Sequence, residues 1–239
     1  MTGLKKAGLV AAMVLGALGL STLIVLGHDS SSTSAGAPAA EMPWQVELLP
    51  GGSAKVFGLT LSAASAPTDI QASTLADAQR RWSSDFQMAV IAAPGEKGSL
   101  EAYVESASIG PITGRVLLTA KASDEQIAMF REHAAKAEFM ESTTRKFVLS
   151  HADQQVALQA PIVAVAFIPQ AHLDAATIEG RFGQPAEKIT GQTHLESWLY
   201  PDKGLSITLD PKGKELLQYV APADFNSRLR QPLLVKPGA

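Results

Sequence analysis

The sequence predicts an α+β fold: a single N-terminal transmembrane helix, then antiparallel sheet packed with a few helices, arranged as two related helix-plus-meander units. Three observations predict it. Ala7 to Gly27 run without a charge behind Lys5 and Lys6. From Trp44 onward, short runs rich in β-branched or alternating apolar residues are separated by Gly/Pro turns. A helix-then-meander pattern also occurs twice along the chain.

The first element is the apolar stretch. At about 1.5 Å per residue, residues 7–27 reach roughly 30 Å, the hydrocarbon thickness of a bilayer. A cleaved signal peptide has a shorter apolar region, about 7–15 residues, closed by a small-x-small site. Here Ala35-Gly36-Ala37 lies well past the stretch, and Val25-Leu26-Gly27 is the poorer alternative. Residues 1–27 therefore read as a membrane anchor, with a cleaved signal as the other reading. No Lys or Arg follows Lys6 until Lys55. The positive-inside rule keeps the N-terminus in the cytoplasm and places the rest in the periplasm of a bacterium, attached to the inner membrane through residues 7–27. Gly8, Ala12 and Gly16 share one helix face, either as a packing surface for a second span or as ordinary membrane-helix composition. Residues 28–42 (beginning HDSSSTSAG) form a flexible tether rich in Ser, Ala, Gly and Pro.

Residues 43–150 are expected to form the first α+β unit. Ala54–Leu61 reads as a strand, and Ser73-Thr74 caps a helix, TLADAQRRW, with Leu75, Ala78 and Trp82 on one stripe. Phe86–Ala92, Leu100–Val104 and Gly114–Thr119 are further strands. Ser123 and Gln126 form a capping box opening a helix that runs through SDEQIAMFREHAAKAEF. Lys146–Ser150 follows as a strand. Residues 151–239 form the second unit. Ile162–Ile168 is an unbroken β-branched run, the mark of a central strand. Leu173–Phe182 is a helix stopped by Gly183 and Pro185. Four short strands follow: Ala186–Ile189, Leu195–Tyr200, Gly204–Leu209 and Glu215–Val220. The two helix openings, Thr74–Ala78 and His172–Ala176, match, as do Leu100–Val104 and Leu195–Leu199. Either a duplication or a shared helix-then-meander grammar accounts for this.

The motif Phe182-Gly183-Gln184-Pro185 followed by Trp198-Leu199-Tyr200 resembles the small outer-membrane-assembly lipoproteins of the SmpA/OmlA (BamE-like) family over residues 172–220. The chain lacks the lipid-bearing Cys of that family and adds a first unit and an apolar leader. The resemblance implies helices on an antiparallel sheet and a role in envelope protein–protein contacts, and it transfers no catalytic residue.

Composition narrows the chemistry. The formal charge of −3 becomes −5 without Lys5 and Lys6, and the remaining cations are scattered, so nucleic acid is not an expected partner. With no cysteine, thiol catalysis, disulfides and Cys-based metal sites are excluded. The five histidines form no His-x-x-x-His pair, and no serine sits in a nucleophile elbow. No catalytic residue, cofactor or metal is predicted. Trp198, Tyr200, Tyr103 and Trp82 are the candidate interaction or core aromatics. Trp198 and Tyr200, two apart on a strand, share a face with Glu196, and the same spacing sets Glu101 beside Tyr103. The expected function is a membrane-anchored, non-catalytic interaction or assembly module of the bacterial cell envelope, engaging an envelope protein. A periplasmic small-molecule or lipid-binding domain, or a hydrolase without a recognised motif, are the other readings.

Overall fold

The β-branched run at residues 162–168 becomes the centre of the molecule. The computed structural model describes residues 42–83, 85–140, 143–191, 194–211 and 214–235. In chain order its strands are β1 (Glu47–Leu49), β2 (Ser53–Val56), β3 (Leu59–Leu61), β4 (Gln87–Ala92), β5 (Ser99–Ile109), β6 (Ile112–Ala120) and β7 (Lys136–Phe139). They continue with β8 (Arg145–Val148), β9 (Ile162–Pro169), β10 (Glu187–Thr190), β11 (Glu196–Tyr200), β12 (Leu205–Leu209) and β13 (Leu216–Val220). The helices are α1 (Leu75–Arg81), α2 (Asp124–Glu132), α3 (His151–Ala157), α4 (Ala175–Phe182) and α5 (Gln231–Leu234).

β1, β2 and β3 form a small antiparallel sheet. The other ten strands form one antiparallel sheet in the order β10-β11-β12-β13-β9-β6-β5-β4-β8-β7. β9 and β6 pair at its centre, with Leu117 opposite Ala166 and Val116 opposite Phe167. One face of this sheet carries Val90, Leu100, Val104, Leu118, Phe167, Ile207 and Tyr219 into the main core, which the small sheet and α1 to α4 cover. Phe57 links the layers edge-on, with ring centroids 5.6 Å from Phe167 and 5.1 Å from Tyr219. The opposite face carries a smaller cluster of Ala164, Leu199 and Val220 under Phe225 and Leu229 of the C-terminal segment.

This architecture corrects the expected fold class. Over the described residues the chain is mostly antiparallel sheet with few, short helices rather than two helix-plus-meander units. Among the described residues no helix is long and apolar enough to cross a membrane. The expected span at 7–27, its small-residue face Gly8, Ala12 and Gly16, and the tether to residue 41 lie outside the described residues. The matched strands also occupy unequal places, because β5 is next to the sheet's centre while β11 is next to its edge. A different correspondence holds. A constant offset of 51 residues carries the α2 N-cap Ser123 to the α4 N-cap Asp174, Ile127 to Ile178, Phe147 to Trp198 and Leu149 to Tyr200. It also carries β6-α2-β7-β8 onto β9-α4-β10-β11, so central strand, helix and edge hairpin recur on each side of the β6–β9 seam.

Local departures have local causes. The strand expected over 54–61 is a hairpin, because Phe57 (φ 53°) and Gly58 (φ 73°) both adopt the left-handed conformation of a two-residue turn. The long helix expected from Ser123 stops at a C-cap on His133, and Lys136–Phe139 becomes β7. Ala, Lys and Glu favour helix in isolation, but pairing with β8 overrides that weak preference. Helix α3, too polar to show an apolar stripe, opens on Ser150, whose Oγ accepts from Asp153 N–H.

Candidate functional site

Trp198 and Tyr200 face the covered side of the sheet, 2% and 1% exposed. The Trp198 indole N–H donates to Glu196 Oε2 at 2.7 Å, and the Lys188 ammonium lies 3.8 Å from the ring centroid. The Tyr200 ring meets Phe182 at 6.2 Å, and Phe182 in turn meets Trp44 edge-on at 6.2 Å. The Tyr200 hydroxyl donates to Gly183 O at 3.1 Å and the Lys203 ammonium to Phe182 O at 3.2 Å. Both bonds satisfy carbonyls that the end of α4 leaves open. Trp82 is also buried, at the end of α1. Tyr103 is half-buried on the opposite sheet face, where its hydroxyl bonds Glu105. The four aromatics therefore do not converge on one surface.

The buried carboxylates are scattered too. Glu101 is 8% exposed, and its Oε1 accepts from the Ser99 hydroxyl at 2.6 Å. Burial pushes its carboxyl up to about 8, against the opposing effect of that hydroxyl. Asp153 lies 3.5 Å from His133 Nδ1. Glu215 Oε2 accepts the Leu173 backbone N–H at 2.9 Å. Its Oε1 is 2.5 Å from His172 Nδ1, but this is a charge contact when His172 is protonated and not an aligned hydrogen bond. Neither Asp153 nor Glu215 stands out in the sequence, although Ser150-x-x-Asp153 is a legible cap. Among the described residues no three His, Asp or Glu side chains gather as metal ligands would.

Among the described residues, what the fold does present is an open sheet edge. β7 and β10 are the terminal strands. In the β7–β8 hairpin, Met140 N–H donates to Thr144 O at 2.9 Å. Alternation along an antiparallel ladder then turns the N–H and C=O groups of Ala137 and Phe139 outward, away from β8. The Phe139 side chain is 74% exposed, with the Arg145 guanidinium 5.5 Å from its ring. At the other end, Gly191 N–H donates to Leu195 O at 3.1 Å, so the same alternation turns Lys188 and Thr190 outward. That edge is guarded. Arg230 of the C-terminal segment clasps Glu187 with bonds of 2.7 and 3.2 Å, and Lys188 lies on Trp198. The 51-residue offset places Ala137 where β10 has Lys188.

No family model matches the chain, no curated protein matches its sequence, and no solved structure matches its fold.

Proposed function

We propose that this chain is a non-catalytic interaction module of the bacterial cell envelope, brought to the inner membrane by residues 7–27, which captures an extended segment of another envelope protein along β7. The observation that carries this reading is the contrast between the two sheet edges. β10 is flanked by the C-terminal segment, whose Arg230 clasps Glu187 through two hydrogen bonds; a lysine stands on each edge, Lys188 on β10 and Lys136 on β7, so the clasp is what separates them. β7 offers the outward backbone groups of Ala137 and Phe139 together with an exposed aromatic ring. An added strand gains main-chain hydrogen bonds from such an edge, and a side chain beside Phe139 sets its specificity. The resemblance of residues 172–220 to the SmpA/OmlA lipoproteins supports an envelope setting.

The test is crosslinking of the full-length chain in membranes, followed by purification, with Ala137→Pro and Phe139→Glu as variants. Proline at Ala137 removes an outward N–H and no ladder bond, so the fold keeps its melting temperature while a partner strand cannot bond there. Loss of one reproducible envelope partner in both variants supports the reading. Retention of that partner in both, or its absence from the unmodified chain, refutes it.

A further inference from the structure

A cleft of about 530 Å³ opens between α2 and α3, and no residue of β7 lines it. Its accessible lining is apolar, from Val156, 47% exposed, and half-buried Ala122, Ala160 and Pro161, with Leu100, Phe130 and Ala157 closed beneath them. Its rim is polar and rich in donors: Lys121, Gln155 and Gln159. The volume falls within the range of small-molecule sites, roughly 300–1,000 Å³.

The backbone acceptors near this cleft are already used. Leu158 O and Ala160 O accept from Ala76 and Leu75 N–H at 2.8 and 3.1 Å, and Pro161 O accepts from Lys121 N–H at 2.8 Å. The acids of the first α2 turn are engaged elsewhere, Asp124 with Lys97 and Glu125 with Ser123. Among the described residues, the Lys121 ammonium has no carboxylate within ion-pair distance. A cleft with an apolar lining and an unpaired cation at its lip is complementary to a molecule with an alkyl body and an anionic head.

We propose that the α2–α3 cleft binds a single-chain anionic amphiphile, its alkyl chain against Ala122, Val156 and Pro161, above Leu100, and its head on the Lys121 ammonium. The shared chemistry is an alkyl chain ending in an anion, supplied by a free carboxylic acid or by a lipid phosphate. The site is independent of strand capture at β7.

The experiment titrates the full-length chain, held in amphipol, with octanoate, octyl phosphate and octan-1-ol while following the methyl signals of Leu100 and Val156. These signals report occupancy of the cleft and are insensitive to partitioning of the ligand elsewhere. One or both anions should saturate the shifts at about tenfold lower concentration than the alcohol. The tighter anion identifies the source. Lys121→Gln should abolish that preference, and Lys55→Gln should preserve it. Val156→Arg, at a lip residue 47% exposed, should block all three ligands with the melting temperature unchanged. Equal binding of alcohol and anions, an undiminished preference in Lys121→Gln, or no response from either methyl overturns the proposal. So does unimpaired binding in Val156→Arg.

Discussion

Glu101 sits on β5 between Ala89 and Thr119 of the neighbouring strands, where it accepts a hydrogen bond from the Ser99 hydroxyl. Burial raises its carboxyl from an ordinary 4.5 to about 8. An acid whose pKa is raised on folding binds its proton more tightly in the native state, so stability is highest below pH 4.5. It falls as pH rises toward 8. Between those limits the folded chain holds one proton more than the unfolded chain, which costs about 1.36 kcal/mol per pH unit. Over that interval Glu101 alone therefore removes about 4–5 kcal/mol, an upper figure since the chain relaxes around the ionised group. Replacing it with glutamine keeps the size and removes the titration. Urea unfolding of both proteins at pH 4.5, 6, 7.5 and 9 should give equal stabilities at the acid end. The gap in favour of Glu101→Gln should widen above it and level off beyond pH 8. Parallel stability profiles for the two proteins would refute the argument, because Glu101 would then ionise in the fold at no cost.

Two further outcomes follow from packing. Trp198→Ala should lower stability by about 3–5 kcal/mol in chemical unfolding, since it empties a buried site beneath α4 and removes the indole N–H that Glu196 accepts and the ring under the Lys188 ammonium. Gly204 and Gly180 should respond in opposite directions to alanine. At Gly204 (φ +62°) a Cβ would stand 2.1 Å from Val220 O, so the melting temperature falls sharply. At Gly180, inside α4 with nothing within 4 Å, the change should add about 0.5–1 kcal/mol.

Much of the local structure is legible in the residues. The Ser123–Gln126 capping box, the stop at Gly183 and the β-branched run of β9 announce themselves because each depends on neighbours in sequence. The sheet order does not, because β6 meets β9 across a helix, a hairpin and a second helix. The 51-residue correspondence escapes notice for another reason. It conserves positions rather than types, setting Phe147 against Trp198 and Leu149 against Tyr200, while polar surface positions diverge freely. The open edge is the least visible feature. Lys136-Ala137-Glu138-Phe139 reads as the tail of α2 until β8 claims it, and only then does Phe139 emerge as an exposed ring. Glu101 could be placed beside Tyr103 from spacing alone, but its burial depends on Ala89 and Thr119, which come from other strands.

The Tyr219 hydroxyl donates to Pro43 O at 2.7 Å across 176 residues of sequence, and Phe57 closes on the same ring. The small sheet of β1, β2 and β3 thus lies against a strand far along the chain from it. As the chain lengthens from its N-terminus, β2 and β3 can meet β9 first, through Phe57 and Phe167, and gain the Tyr219 ring only when β13 arrives. Contacts of such sequence separation slow folding, because a long loop must close before they form. The core around Phe57 therefore closes only once β13 is present, and a chain ending before Leu216 would leave Phe57 without the Tyr219 ring.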